Sequence, residues 1–182
     1  MVARSDLRGI ALSLALIGAA AMPAGAEPAA NLAPAQARLL DRVAIEDMIA
    51  RFLYNLDRGH VASLGDFFTE DAVFEIYGRK HVGRAAITGY YAARPKTRAT
   101  RHVSTNLQVE FDDGRHAHSS YVLTYYRAEA GTTPSMSPMV LADYNERLVR
   151  GRDGKWRYAY RKASPALAAS FAPAPAPSAT QQ

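Results

Sequence analysis

Apolar residues recur at the spacing of a helix face along the first ordered-looking stretch of the chain. With successive residues about 100° apart, Ile45, Met48, Ile49, Phe52, Leu53 and Leu56 fall in one stripe about 140° wide, as expected of a helix lying on a sheet. The pattern predicts a first helix from Pro34 or Ala37 to Asp57. Tyr54 falls on the opposite side. Asp57 lies just beyond the stripe in the last turn, where a carboxylate gains nothing from the helix dipole and so needs another reason to be there. Arg58-Gly59 closes the helix, and a short second one over about Val61 to Phe68 turns Leu64, Phe67 and Phe68 inward. Ala72 to Tyr77 reads as a strand, Gly78 and Gly83 bracket a small strand around His81-Val82, and a third helix over Arg84 to Ala93 stops before Pro95.

From Thr97 onward the pattern changes to period two. Thr100 to Phe111, His116 to Ala130, Met139 to Gly151 and Lys155 to Lys162 read as strands. Asp112-Asp113-Gly114 and Arg152-Asp153-Gly154 supply hairpin turns between them, and 131–138 a loop. Three helices followed by a meander predict an α+β fold with the helices on one face of a curved antiparallel sheet. No internal repeat is visible.

The two ends carry a different signature. Arg4 and Arg8, the apolar run from Ile10 to Ala21 and the small residues Ala24-Gly25-Ala26 form the three-part pattern of a secretory signal peptide, its core too short to span a bilayer comfortably. The expected organisation is a signal peptide over 1–26, a disordered leader over 27–37, one domain over 38–163 and a disordered Ala/Pro-rich tail over 164–182. Cleavage after Ala26 would leave a periplasmic or secreted protein without stable membrane insertion. An uncleaved anchor is the alternative, but no stop-transfer flank follows the apolar run.

Cysteine is absent, which removes disulfides, thiolate catalysis and thiolate metal sites together. Losing Arg4, Arg8 and Asp6 with the signal peptide lowers the formal charge from +5 to +4. That mild excess is spread along the strands, so a nucleic-acid partner has little support. Of the histidines, His116 and His118 lack a third ligand beside their hairpin and predict no metal site. His60 reads as a helix-start residue and His81 as a surface strand residue.

The succession Ile45…Arg51-Phe52…Leu56-Asp57…Phe67-Phe68-Thr69-Glu70-Asp71-Ala72, Gly83…Ala86-Ile87, Arg101-His102…Asn106, Ala142…Tyr144…Glu146-Arg147-Leu148-Val149-Arg150…Asp153-Gly154-Lys155-Trp156…Arg161 resembles the SnoaL-like family of the nuclear transport factor two-like superfamily. The resemblance covers about residues 38–163. It implies a cone-shaped curved sheet wrapped around three N-terminal helices, with an apolar pocket open at one end. It also implies a branch containing enzymes similar to scytalone dehydratase and the bile-acid dehydratases, besides isomerases, polyketide cyclases and members without known activity, so fold alone does not fix function.

In the dehydratase-type members an aspartate ending the first helix faces a histidine early in a long strand, which here implies Asp57 and His102. A neutral imidazole with a pKa near about 6.5 can take a proton from carbon beside a carbonyl, while a carboxylate on its other nitrogen fixes the tautomer, with no metal or cofactor. A lone strand histidine is otherwise more often a hydrogen-bonded structural residue. The bile-acid branch carries a catalytic tyrosine five residues before the aspartate; here that position is Phe52, which packs as well but donates no proton. A phenol in the pocket would then come from a strand, from Tyr77, Tyr121, Tyr125 or Tyr144.

Asn106 shares strand parity with His102 and is expected either to hold a substrate oxygen or to satisfy a buried backbone group. Arg127 lies where scytalone-type dehydratases place a second histidine; pointing inward, it would favour an anionic or carbonyl-bearing ligand. The expected substrate-contacting residues are thus Asn106, Phe52, Tyr77, Tyr125, Arg127 and Tyr144. The resemblance further implies a homodimer paired through the outer sheet face, with Tyr126 and Val149 on it. Two functions stay open: a cofactor-independent, dehydratase-like lyase or isomerase acting on a small hydrophobic carbonyl or hydroxyl compound, or a non-catalytic small-molecule-binding module or scaffold of the same fold.

Overall fold

The computed structural model describes residues 32–128 and 138–168. The expected signal peptide, and all but the last residues of the leader and the first of the tail, lie outside that range. Helix α1 (Leu32–Asp57) is followed by a 3-10 helix (Val61–Phe67), strands β1 (Phe68–Ile76) and β2 (Arg79–Val82), helix α2 (Arg84–Ala92), and strands β3 (Ala99–Phe111), β4 (His116–Ala128), β5 (Val140–Arg150) and β6 (Trp156–Ala168). The predicted order of elements is the observed one. Helix α1 starts at Leu32, so residues 32–37, expected as leader, are helical, and β6 runs five residues beyond the expected domain end at 163.

The six strands form one sheet in the order β2-β1-β6-β5-β4-β3, with β2 and β3 as its edges. Neighbours are antiparallel except β1 and β6, which run parallel, so the sheet is mixed where an antiparallel one was expected. That pair is the first strand meeting the last. Tyr77 and Gly78 both take positive φ (51° and 72°), which makes the tight primed turn that joins β1 to β2.

One helical face packs on the inner sheet face as its spacing requires. Ile45, Ile49, Phe52, Leu53 and Leu56 are all buried, whereas Tyr54 is exposed. The ring of Phe52 meets Phe67, Phe68, Tyr91 and Tyr158 edge-on at 5.5–5.6 Å, a packing favoured by the opposite charges of ring face and ring edge.

Two of the sheet's four register shifts decide where the candidate residues face. In β3 the register against β4 slips between Thr105 and Gln108, with Asn106 in the left-handed region (φ 57°). A residue added to one strand of a pair reverses the facing of everything beyond it. His102 therefore points inward while Asn106 is exposed, and Leu107 and Val109 return to the core side. In β6, Tyr158 pairs with Leu148 but Tyr160 with Arg147, which leaves Ala159 as the extra residue. Strict alternation from Trp156 would place Tyr160 and Lys162 inside; instead Arg161 is buried.

Candidate active site

The last turn of α1 lies against the start of β3, and the contact is made by Asp57. Its Oδ1 accepts a hydrogen bond from the Thr100 hydroxyl at 2.7 Å and lies 2.6 Å from His102 Nδ1. Oδ2 accepts the His102 backbone N–H at 2.8 Å. Thr100 and His102, two residues apart on β3, face the same side, which lets one carboxylate meet both. Arg94 Nη2, just after α2, donates to Thr100 Oγ1 at 3.2 Å and braces the group from the far side.

Because Asp57 accepts from Nδ1, the imidazole holds its proton there and keeps the lone pair on Nε2. Burial alone would raise the Asp57 carboxyl, but the His102 ring and amide and the Thr100 hydroxyl hold it below its ordinary value. Burial pushes His102 downward; Asp57 pulls it up, while Arg94 and Arg161 push it further down, and the net direction is down. At neutral pH the site is a neutral imidazole on a carboxylate, which is the protonation state a general base needs.

His102 lines a cavity of about 420 Å³ between α1, α2 and the inner sheet face. Leu53, Leu56, Phe74, Leu123 and Val140 form apolar walls. Five tyrosines, Tyr77, Tyr90, Tyr91, Tyr125 and Tyr144, also line it. Tyr125 lies opposite His102 across the β3–β4 pair, with ring centroids 4.8 Å apart. Burial raises the phenol pKa values of Tyr90, Tyr91 and Tyr144, so these phenols serve as protonated donors.

Arginines 94, 98, 127 and 161 also line it, with no carboxylate among the described lining residues. Arg161, 1% exposed, lies over the rings of Phe52, Tyr144 and Tyr158 with its guanidinium carbon 4.5–4.9 Å from their centres. Its Nε sits 3.2 Å from Glu146 Oε1, and its Nη2 donates to the Tyr121 hydroxyl at 2.8 Å. Ser119 and Tyr121 in turn donate to Glu146, at 2.6 and 3.0 Å. Burial opposes the Arg161 charge, but the phenols around it and Glu146 outweigh that effect and keep the guanidinium charged.

The structure thus brings Asp57, His102, Tyr77, Tyr125, Arg127 and Tyr144 to one site. Three expectations are corrected. Asn106 lies outside the pocket because the β3 bulge turns it to solvent. Phe52 lies beneath Arg161 in the aromatic core and does not line the cavity. Tyr121, a candidate pocket phenol, is committed to Glu146 and Arg161 instead. Sequence reasoning gave no pocket role to Tyr90, Tyr91, Arg94, Arg98 or Arg161. The α2 tyrosines sit at helical spacing from Ile87 and were open to discovery; Arg161 was hidden by the β6 bulge. Elsewhere, His116 Nδ1 meets Asp113 at 2.9 Å and His118 Nε2 meets Asp112 at 3.0 Å on the surface.

A half-open sheet curved over helices, with a histidine on the wall of the resulting pocket and an aspartate behind it, defines a class of small α+β pocket proteins. The SnoaL-like domain model matches residues 37–162, and the chain belongs to that family. No curated protein matches the chain. Solved structures share its nuclear transport factor two-like, cystatin-like fold. A protein of Novosphingobium aromaticivorans ascribed to the scytalone dehydratases is 20% identical, with a TM-score of 0.68 over 76% of this chain and 92% of its own. A second protein from that organism, described as having a cystatin-like fold, is 23% identical, with a TM-score of 0.67 over 78% and 92%. A Mycobacterium tuberculosis protein of unknown function is 27% identical, with a TM-score of 0.65 over 72% and 75%.

Proposed function

We propose that the protein is a cofactor-independent lyase or isomerase of dehydratase type, acting on a small, largely apolar carbonyl or hydroxyl compound. The observation that carries this reading is the Asp57–His102 pair at 2.6 Å on the wall of a cavity large enough for such a compound. His102 Nε2 takes a proton from carbon next to the carbonyl, and Asp57 holds the ring and stabilises the imidazolium that forms. Tyrosine hydroxyls at the site donate to the substrate oxygen, in place of the phenol that Phe52 lacks.

The test is solvent deuterium incorporation, followed by proton NMR, across a panel of cyclic ketones and β-hydroxy ketones. Native protein should exchange the acidic carbon position of at least one member, and His102→Ala should not, while still binding the same compound. Equal exchange by the variant would reject the assignment. A compound that binds the native protein without exchange would favour the binding-module reading, to which the loss of the phenol at Phe52 lends weight.

The same proposal includes export and pairing of two copies through the outer sheet face, where Val103 is 47% exposed. Light scattering tests the pairing, and N-terminal sequencing of protein recovered from outside the cytoplasm tests the export.

A further inference from the structure

We propose that Thr100 and Arg94 are positioning residues of this site: Arg94 fixes the Thr100 hydroxyl on Asp57, and the carboxylate so held tempers His102 as a base while aiming its Nε2 lone pair at the cavity. The inference rests on the reading of the site given above and deepens it. Two features of the geometry carry it.

The first is the direction of the hydrogen bonds. A guanidinium only donates and a carboxylate only accepts, so a hydroxyl between them has a single orientation. Arg94 Nη2 donates to Thr100 Oγ1 at 3.2 Å, and Thr100 donates its own O–H to Asp57 Oδ1 at 2.7 Å. A donor on its oxygen polarises the O–H and strengthens the bond it gives. Thr100 is 4% exposed, which keeps bulk water from competing for the hydroxyl.

The second is that Thr100 and the His102 ring share one acceptor. Both meet Asp57 Oδ1, the ring at 2.6 Å, while Oδ2 takes the His102 backbone N–H at 2.8 Å. The backbone bond keeps the carboxylate from rotating to separate the two donors. Two donors on one oxygen divide its charge, and the share taken by Thr100 is withdrawn from the imidazolium that would form.

The groups around the ring work in the same direction. Tyr125 on β4 covers it with ring centroids 4.8 Å apart, and the charges of Arg94 after α2 and Arg161 on β6 both disfavour the imidazolium. Arg98 and Arg127 line the same cavity, each held in interactions of its own. Against them stands Asp57 from α1, which favours the charged ring. A single base that takes a proton and returns it must not hold it too firmly, which gives the arrangement its use. The simpler role is a clip, since Arg94 and Thr100 flank the segment between α2 and β3. A clip predicts lost stability with no change in how His102 titrates.

The test is an NMR titration of the His102 ring, its signals assigned by their absence in His102→Ala. It is run on native protein, Thr100→Val, Thr100→Ser, Arg94→Met and the double variant Thr100→Val with Arg94→Met. No substrate enters the measurement, so it can fail while the enzyme reading stands and succeed if that reading falls. Thr100→Val removes the hydroxyl at nearly constant shape, and Arg94→Met removes the donor and its charge from a half-buried position. Each should move the His102 midpoint to higher pH, and Thr100→Ser should return it to the native position. Because Arg94 acts partly through Thr100, the upward shift of the double variant should be smaller than the sum of the two single shifts. If the valine is not tolerated, Thr100→Ala makes the same comparison. A midpoint that stays or falls without the hydroxyl, a serine variant that behaves like the valine one, or fully additive shifts in the double variant would overturn the proposal.

Discussion

Replacing Asp57 by Asn changes one atom and tests the whole site. The carboxylate accepts from three donors: the His102 backbone N–H on Oδ2, and the His102 ring and Thr100 hydroxyl on Oδ1. An amide has one oxygen, and the backbone N–H cannot turn away, so it claims that oxygen. The NH₂ group then faces His102 Nδ1 and Thr100 Oγ1. The hydroxyl can rotate to accept it, and the imidazole can accept it only as the other tautomer, with its proton on Nε2.

The base lone pair would thus be turned away from the pocket at little cost in packing. Exchanging charge-assisted hydrogen bonds for neutral ones should cost about 1–3 kcal/mol of stability. Proton abstraction should fall about 10²–10⁴-fold, equivalent to about 3–5 kcal/mol of barrier. Long-range ¹⁵N–¹H correlation spectra report the tautomer directly and need no substrate. Native His102 should show its proton on Nδ1, and the Asp57→Asn variant on Nε2. A variant that kept the Nδ1–H form, or full exchange activity, would refute this account of the pair.

Further tests address the surroundings. His102 should titrate below about 6.5, and lower still in Asp57→Asn, because Asp57 is what raises it; an NMR titration reads both. Since both site residues have lowered pKa values, the stability they contribute is complete above about pH 6.5. It falls as His102 is forced to protonate below that, and again below about pH 4 as Asp57 does, which urea midpoints at pH 7.5, 5.5 and 3.5 would follow. Glu146→Ala strands the buried Arg161 charge and should cost about 3–5 kcal/mol, whereas Glu146→Met with Arg161→Met should recover most of that loss in denaturant titrations. Phe52→Tyr should lower the melting temperature by several degrees without raising activity. The new hydroxyl would sit among aromatic rings away from the cavity, an unpaired polar group costing about 1–3 kcal/mol.

The helix face and the strand alternation made most of the architecture legible in advance. A 140° stripe ending at Leu56 told which side of α1 is buried, and it left Asp57 as an acid with no local purpose, which is how the site first showed itself. The two bulges were not legible. Ser104-Thr105-Asn106 contains no glycine to announce a left-handed residue, so parity carried Asn106 to the wrong face. Ala159 likewise reverses β6, where strict alternation would send Arg161 outward although it is among the most buried side chains in the described chain. The parallel β1–β6 pair is also a non-local choice, because strand character says nothing about which strand lies alongside. The helix pattern thus singled out Asp57 and the family resemblance supplied His102, while the rest of the cavity lining depended on register, which long-range pairing decides.

The composition of the pocket restricts the chemistry beyond the choice of base. Among the lining residues, His102 is the one group whose ordinary pKa lies near neutrality. The arginines hold their protons, and the phenols of Tyr90, Tyr91 and Tyr144 are pushed further from ionising. Among the described lining residues no second group titrates near neutrality, so on the proposed reading His102 returns the proton it takes. In a dehydration, the proton leaves carbon for Nε2 and passes to the departing hydroxyl as the C–O bond breaks, giving water and the alkene. In an isomerisation it returns to another carbon. Both transfers occur on the face that the imidazole covers. For a dehydrated substrate labelled stereospecifically with deuterium, the label lost should therefore be the one syn to the hydroxyl; for an isomerised one, part of the label should reappear in the product. Anti elimination, read by mass spectrometry of the product, would require an acid other than His102, and would break the single-base mechanism.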